Sequence, residues 1–168
     1  MRYTHESGLI HRDLKLENIM IEKVMKADGT EDTVCKLTDF GFACTVNEGE
    51  DLKLTLGTPL YMAPEVVKGE GYDQKVDIWS LGVIAFVMLT SKFPFDGNVR
   101  EEIYAKIRSS KTNPDWRLLD RYWKKGALIK DFLKCCLQKD PEKRMTAEQL
   151  MSHEWLKVMV DEPEIESE

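Results

Sequence analysis

Apolar residues recur at helical spacing through most of the second half of the chain and form only short runs near its start. From Gln74 to Thr90, the positions Val76, Ile78, Trp79, Leu81, Val83, Ile84, Phe86, Val87 and Leu89 are apolar nearly all round a helix. That pattern belongs to a helix buried on every side, and it is expected at the centre of the fold. Ile103, Tyr104 and Ile107, with charges between them, predict an amphipathic surface helix over 99–109. Asn113-Pro114-Asp115 breaks it, a further helix is predicted over 127–138, and a last one runs from Ala147 to about Val158. Thr146-Ala147-Glu148-Gln149 opens that last helix as a capping box, the threonine hydroxyl capping while Gln149 reaches back. Residues 1–8 read as the tail of a helix stopped by Gly8.

The β signal is slight. Ile19–Ile21 and Val34–Leu37 predict two short strands. The connection between them carries an Asp28-Gly29 turn signal but reads as an ordinary surface loop, being long for a tight hairpin. Residues 42–62 lack sustained periodicity and contain Gly49, Gly57 and Pro59. A stretch of that length with no secondary structure of its own is uncommon unless it is functional or mobile. The expectation is one domain, mainly α with a small β element.

Composition narrows the picture. The 168 residues are 42% hydrophobic and 32% charged, as in an ordinary globular domain. A net charge of -6 argues against nucleic acid as a partner. Much of it is local: Asp161, Glu162, Glu164, Glu166 and Glu168 fall in the last eight residues, so 159–168 reads as a solvated acidic tail. Cys35, Cys44, Cys135 and Cys136 show no Cys-x-x-Cys spacing and read as reduced thiols. Ile78–Leu89 is too short an apolar run to span a bilayer, which needs ~20 residues, and residues 1–8 do not resemble a signal peptide. A cytoplasmic or nuclear protein with no membrane partner is expected.

Chemistry concentrates in His11-Arg12-Asp13-Leu14-Lys15-Leu16-Glu17-Asn18. A carboxylate can orient or deprotonate a hydroxyl, an ammonium can neutralise phosphate oxygens, and an amide oxygen can ligate magnesium. Alone, the run fits a solvated loop equally well. Asp39-Phe40-Gly41 after the second strand and Ala63-Pro64-Glu65 at the end of the irregular stretch change that balance. In this order the three resemble the catalytic loop, magnesium loop and activation-segment end of protein kinases. Asp77-Ile78-Trp79-Ser80-Leu81-Gly82-Val83, Asp140-Pro141-Glu142-Lys143-Arg144 and His153-Glu154-Trp155 extend the resemblance to about Leu156.

The resemblance implies roles residue by residue. Asp13 would accept or orient the substrate hydroxyl, and Lys15 would stabilise the transferred phosphoryl group. Asn18 and Asp39 would hold two Mg2+ ions bridging the phosphates of ATP. Met20 would pack against adenine, while Glu17 lies where relatives contact a basic residue of the substrate. Thr58 would bridge Asp13 and Lys15, and Tyr61 would shape the pocket beyond the phosphoacceptor. Lys15 together with Gly57-Thr58-Pro59-Leu60-Tyr61 is similar to serine/threonine rather than tyrosine kinases. Arg12 resembles the arginine that pairs with a phosphorylated activation segment, with Thr55 the better-placed acceptor and Thr45 the other. The acidic Asn47–Asp51 could instead supply the negative charge. Glu65 and Arg144 would form a buried ion pair, Asp77 would brace the catalytic loop, and His11 and Phe40 would stack.

The texture of Gly57–Val67, Phe93-Pro94-Phe95 and Arg144-Met145-Thr146 resembles the calcium- and calmodulin-dependent kinases, without any EF-hand loop. The glycine-rich loop, its strand lysine and the adenine hinge are not among the 168 residues. The resemblance thus covers the carboxyl-terminal lobe of a kinase domain, residues 1–158, built around the buried helix. No kinase activity is expected from this lobe alone. An apolar face near Met20 and Phe40 would await an amino-terminal lobe, supplied in trans if at all. The alternative reading is a non-catalytic module that binds substrates or another kinase lobe.

Overall fold

The computed structural model describes residues 1–45, 52–122 and 126–161. The acidic stretch Asn47–Asp51 and the tail from Glu162 onward lie outside them. A short helix α1 (Arg2–Glu6) ends before Gly8 and leads into strand β1 (Leu9–Ile10). Strands β2 (Ile19–Met25) and β3 (Glu31–Leu37) follow, then β4 (Cys44–Thr45). The rest is helical: α2 (Pro64–Lys68), α3 (Lys75–Thr90), α4 (Arg100–Arg108), α5 (Arg117–Tyr122), α6 (Gly126–Cys136), α7 (Ala147–Met151) and α8 (Glu154–Asp161). No helix among the described residues is long and apolar enough to cross a membrane.

Helix α3 carries buried side chains on several sides and touches both apolar clusters. Trp79 and Val83 join Ile10, Leu14, Tyr61, Phe95 and Ile107. Ile78 and Phe86 join Leu119, Phe132, Leu133 and Leu150. Met88, 70% exposed, departs from the all-round burial its pattern predicts. At α4 the pattern holds, with Ile103 and Ile107 buried between charged positions. The Thr146–Gln149 capping box is complete in both directions.

The largest correction is the β2–β3 hairpin. The strands are longer than the apolar residues suggest, pairing antiparallel from Ile19↔Leu37 to Met25↔Glu31. Charged positions, most of them outside the two predicted strands, pair across the hairpin: Lys23 with Glu31, Lys36 with Glu22, and Lys26 with Asp32. The turn closes through Lys26 N–H to Thr30 O, with Asp28 Oδ1 accepting from Thr30 and Gly29 at φ 84°. β4, inside the stretch expected to be irregular, pairs with β1. Helices α2 and α5 were not signalled by periodicity.

The predicted last helix is two helices. His153 sits at the N-cap of α8, its Nδ1 accepting from Trp155 N–H at 3.1 Å and competing with helical continuation. Its Nε2 lies 3.3 Å from Asp131 Oδ2. Asp131, Cys135 and His153 place ligand-type atoms within 4.8 Å of one another. Because Nδ1 accepts, the neutral ring carries its proton on Nε2, the nitrogen a metal would need. In the contacts it makes, His153 acts as a helix cap held against Asp131.

Two buried features hold the lower half. Arg144, 2% exposed, donates bidentately to Glu65 at 2.6 and 3.0 Å and also to Lys75 O and Gln138 O. Its guanidinium lies over the Trp79 ring, which stacks on Phe95. Arg144→Ala leaves the Glu65 charge buried and unpaired and should lower stability by about 3–5 kcal/mol in urea unfolding. At the end of α3, Ser91 sits in the left-handed region at φ 56°, a conformation that disfavours a Cβ. Ser91→Gly should gain about 1 kcal/mol, raising the thermal midpoint by about 2–4 °C.

Candidate active site

The loop after β1 is anchored from below by Asp77 of α3, which is 1% exposed. Its two carboxylate oxygens accept the backbone N–H groups of His11 and Arg12, each at 2.9 Å. His5 of α1 adds a third contact, Nε2 to Oδ2 at 3.0 Å. This grip coincides with a strained residue: Arg12 has φ 68°, unusual for any side chain but glycine. The arginine side chain then turns to Phe42 O at 2.5 Å and to the Tyr72 hydroxyl at 3.5 Å.

His11 is fully buried and joins two loops. Nε2 donates to Thr38 O at 3.1 Å, and Nδ1 accepts from Asp13 N–H at 3.4 Å; one neutral tautomer satisfies both. The imidazole also packs on Phe40, with ring centroids 4.8 Å apart. Asp39 follows Thr38 in a left-handed conformation, φ 59°, and its Oδ1 accepts from Gly41 N–H at 3.2 Å.

Asp13, 4% exposed, lies at the centre of the polar group. Its Oδ2 accepts from Lys15 Nζ at 2.6 Å and its Oδ1 from the Thr58 hydroxyl at 2.9 Å. Lys15 Nζ reaches Thr58 Oγ1 at 3.4 Å. The bond to Asp13 holds the Lys15 ammonium above its ordinary range against burial, helped by the charges of Asp13, Glu17 and Asp39. Asn18 is buried and donates its Nδ2 to Asp13 O at 2.9 Å, which turns its Oδ1 toward other ligands. Asn18 O in turn receives Thr38 N–H and hydroxyl, tying the two loops across the start of the hairpin.

Asp13, Lys15, Asn18 and Thr58 are thus within one hydrogen-bonded network, and Asp39 lies near enough to bias Lys15 electrostatically. Glu17 and Met20 are exposed beside it, Met20 at 60%. Tyr61 is buried against Phe93, edge to face at 5.5 Å, and burial followed by the Glu17 charge pushes its phenol up. Thr55 donates to Val66 O at 3.4 Å and makes no hydrogen bond with Arg12 among the described residues; Thr45 lies opposite Leu9 in β4. Sequence reading passed over His5, Thr38 and Tyr72. Their contacts lie far away in sequence, and only the position of Thr38 beside Asp39 gave any signal.

An Asp, a Lys, an Asn amide oxygen and a second Asp on two adjoining loops are the kinds of group that could meet phosphate oxygens and hard cations. The chain belongs to the protein kinase family, whose domain matches residues 1–156. Among its relatives are serine/threonine-protein kinase 33 of Mus musculus, 37% identical over 161 residues, and serine/threonine-protein kinase H1 of Mus musculus, 39% identical over 159. These alignments cover 92% and 93% of this chain, and 32% and 35% of the relatives. Calcium-dependent protein kinase 5 of Plasmodium falciparum is 36% identical over 156 residues, covering 92% of this chain and 26% of that protein. The chain spans about a third or less of the length of these relatives.

Thr58 depends on the residue before it. Gly57 has φ 109°, and a Cβ there would stand 2.7 Å from Arg12 O. Gly57→Ala should therefore push the Thr58 segment away from the loop, with a stability loss of at least about 1–2 kcal/mol in urea unfolding. An unchanged midpoint would mean that the segment is not held against the loop.

Proposed function

We propose that this chain supplies the catalytic side of a site that transfers the γ-phosphate of ATP to a serine or threonine hydroxyl of a protein. The observation that carries the reading is the Lys15–Asp13–Thr58 network, which holds one carboxylate and one ammonium in contact beside a hydroxyl. Asp13 would orient the incoming hydroxyl and accept its proton. Lys15, kept charged by Asp13, would face the phosphoryl oxygens as negative charge builds on them. Thr58 would hold Asp13 in the orientation needed for that role.

The donor set fits magnesium. Asp39 offers an exposed carboxylate, and Asn18 offers an amide oxygen because its nitrogen is engaged with Asp13 O. Hard oxygen ligands on one or two side chains, completed by phosphates and water, are what Mg2+ takes. Bound there, Mg2+ would neutralise phosphate charge. Met20 would meet the adenine from the hairpin, and Glu17 would favour a basic residue near the acceptor. Glu65 with Arg144, and Asp77 with the loop backbone, would be scaffold.

The 168 residues contain no G-x-G-x-x-G run. The opposite wall of the nucleotide site would come from another part of the kinase domain. Exposed Met20, Ile21, Met25, Phe40 and Phe42 favour a surface that meets such a part, and they also support the second reading, a lobe-binding module without catalysis.

Calorimetric titration of magnesium-ATP into the 168-residue chain tests the first reading. A saturable response is expected, weakened about tenfold or more by Asp39→Asn and little changed by Asp13→Asn. Peptide phosphorylation should be absent from this chain, appear with the amino-terminal part of the domain present, and vanish there with Asp13→Asn. Activity that survives Asp13→Asn, or a folded chain with no nucleotide response, would sink the assignment. Capture of an isolated kinase amino-terminal lobe without any nucleotide response would favour the second reading.

A further inference from the structure

Away from the phosphotransfer site, an open cleft of about 340 Å³ lies between the segment after α4 and the end of α6. Ser110, Asn113 and Trp116 form one side, and Lys134, Lys139 and Lys143 the other. Its volume is at the lower end of the ~300–1,000 Å³ usual for small ligand sites, enough for one or two side chains. Leu137 is buried behind it, and Asp140 is the only carboxylate among the described lining residues.

The three lysines differ in state. Lys139 lies at the floor, over the Phe95 ring at 4.6 Å from its centroid. Two of its donors go to Lys106 O and Ser109 O at the end of α4. Burial, then the neighbouring charge of Lys68, pulls it down to about 8, so an anion nearby would relieve it. Lys143 is 74% exposed and pairs loosely with Asp140 at 3.3 Å. Lys134 is exposed and makes no ion pair or hydrogen bond among the described residues. Three cations against one carboxylate leave the cleft positive on a chain whose net charge is -6.

We propose that this cleft docks a short acidic peptide segment in which carboxylates flank an aromatic or aliphatic residue. The carboxylates would lie between Lys134 and Lys143, and the apolar side chain against the half-buried Trp116. Charge complementarity selects the anion, and the indole wall selects a peptide over a bare phosphate. The site is separate from the proposed phosphotransfer chemistry and does not depend on it.

Fluorescence anisotropy with the 168-residue chain provides the test, using a short fluorescein-labelled peptide rich in Glu with interspersed Phe and Leu. Saturable binding is expected, weakened about tenfold by Lys134→Glu together with Lys143→Glu, a change of about 1.4 kcal/mol. Lys23→Glu with Lys36→Glu, the same charge change on the hairpin, should leave affinity within about twofold. Replacing Phe and Leu by Gly in the peptide should weaken it measurably. Lys134→Glu alone touches no partner and keeps the test open should the double variant unfold. Equal losses from the hairpin variant would reduce the effect to long-range charge and overturn the proposal. So would polyuridylate binding as tightly as the peptide, or no binding by the folded chain.

Discussion

The carboxylate of Asp77 is the constraint on which the site is built. A buried carboxylate without partners would be expensive, and this one is satisfied by two backbone N–H groups and an imidazole nitrogen. The same bonds hold Arg12 in a left-handed conformation that its side chain disfavours. Strain of that kind persists only when the surroundings over-determine it. Here helix α3 provides the fixed end, since Asp77 lies in its first turn between the buried Val76 and Ile78. Everything next to Arg12 inherits the position: His11 on one side reaches Thr38 O, and Asp13 on the other meets Lys15 and Thr58. The first of the two loops that carry the acidic groups is therefore set by α3, and the second is tied to it through Thr38.

The substrate side of the network is held differently. Thr58 comes from a segment with little regular structure, and three local constraints place it. Gly57 lets the chain approach Arg12 O, Ser80 Oγ on α3 donates to Tyr61 O at 2.8 Å, and α2 is tied down through Glu65 to Arg144. Two ion-pair settings among the described residues contrast. Glu65–Arg144 is dry and bidentate, so losing one partner strands a charge. The pairs on the hairpin are half exposed or more and contribute at most about 1 kcal/mol each. Their effect is on register: opposite charges set diagonally across the two strands favour the observed pairing over a shifted one.

Legibility in the sequence follows from the range of each interaction. The polar loops could be read because their chemistry demands particular residue types close together. The capping box and the apolar face of α4 could be read because they are local and periodic. The hairpin was read short because its ladder is closed by Lys, Glu and Asp, whose pairing is invisible until the strands are opposed. β1 and β4 have two residues each, too few for any period to show. The split between α7 and α8 turns on which nitrogen of His153 accepts a proton donor, which composition does not encode. His5 and Tyr72 escaped notice because they act across 72 and 60 residues of sequence.

The unequal exposure of the site bears on where its electrostatic strength would come from. Asp13 and Asn18 are buried, whereas Asp39, Glu17 and Met20 face outward. Two unit charges 4 Å apart interact by about 1 kcal/mol in water and about 4 kcal/mol near a protein surface of effective dielectric 20. The hydroxyl-orienting half of the proposed chemistry thus already lies in the less polar environment, while the cation-binding half is hydrated. Covering the exposed side would exclude water, strengthen the attraction of Asp39 for a metal, and bury the apolar side chains of the hairpin in the same step. A cover that buries Met20 and Phe40 would also press on His11 through its ring contact with Phe40. His11 donates to the carbonyl just before Asp39 and accepts from the N–H of Asp13. Closure would then be transmitted to both carboxylates through one imidazole, which couples apolar burial on the outside of the site to the geometry of its two acids.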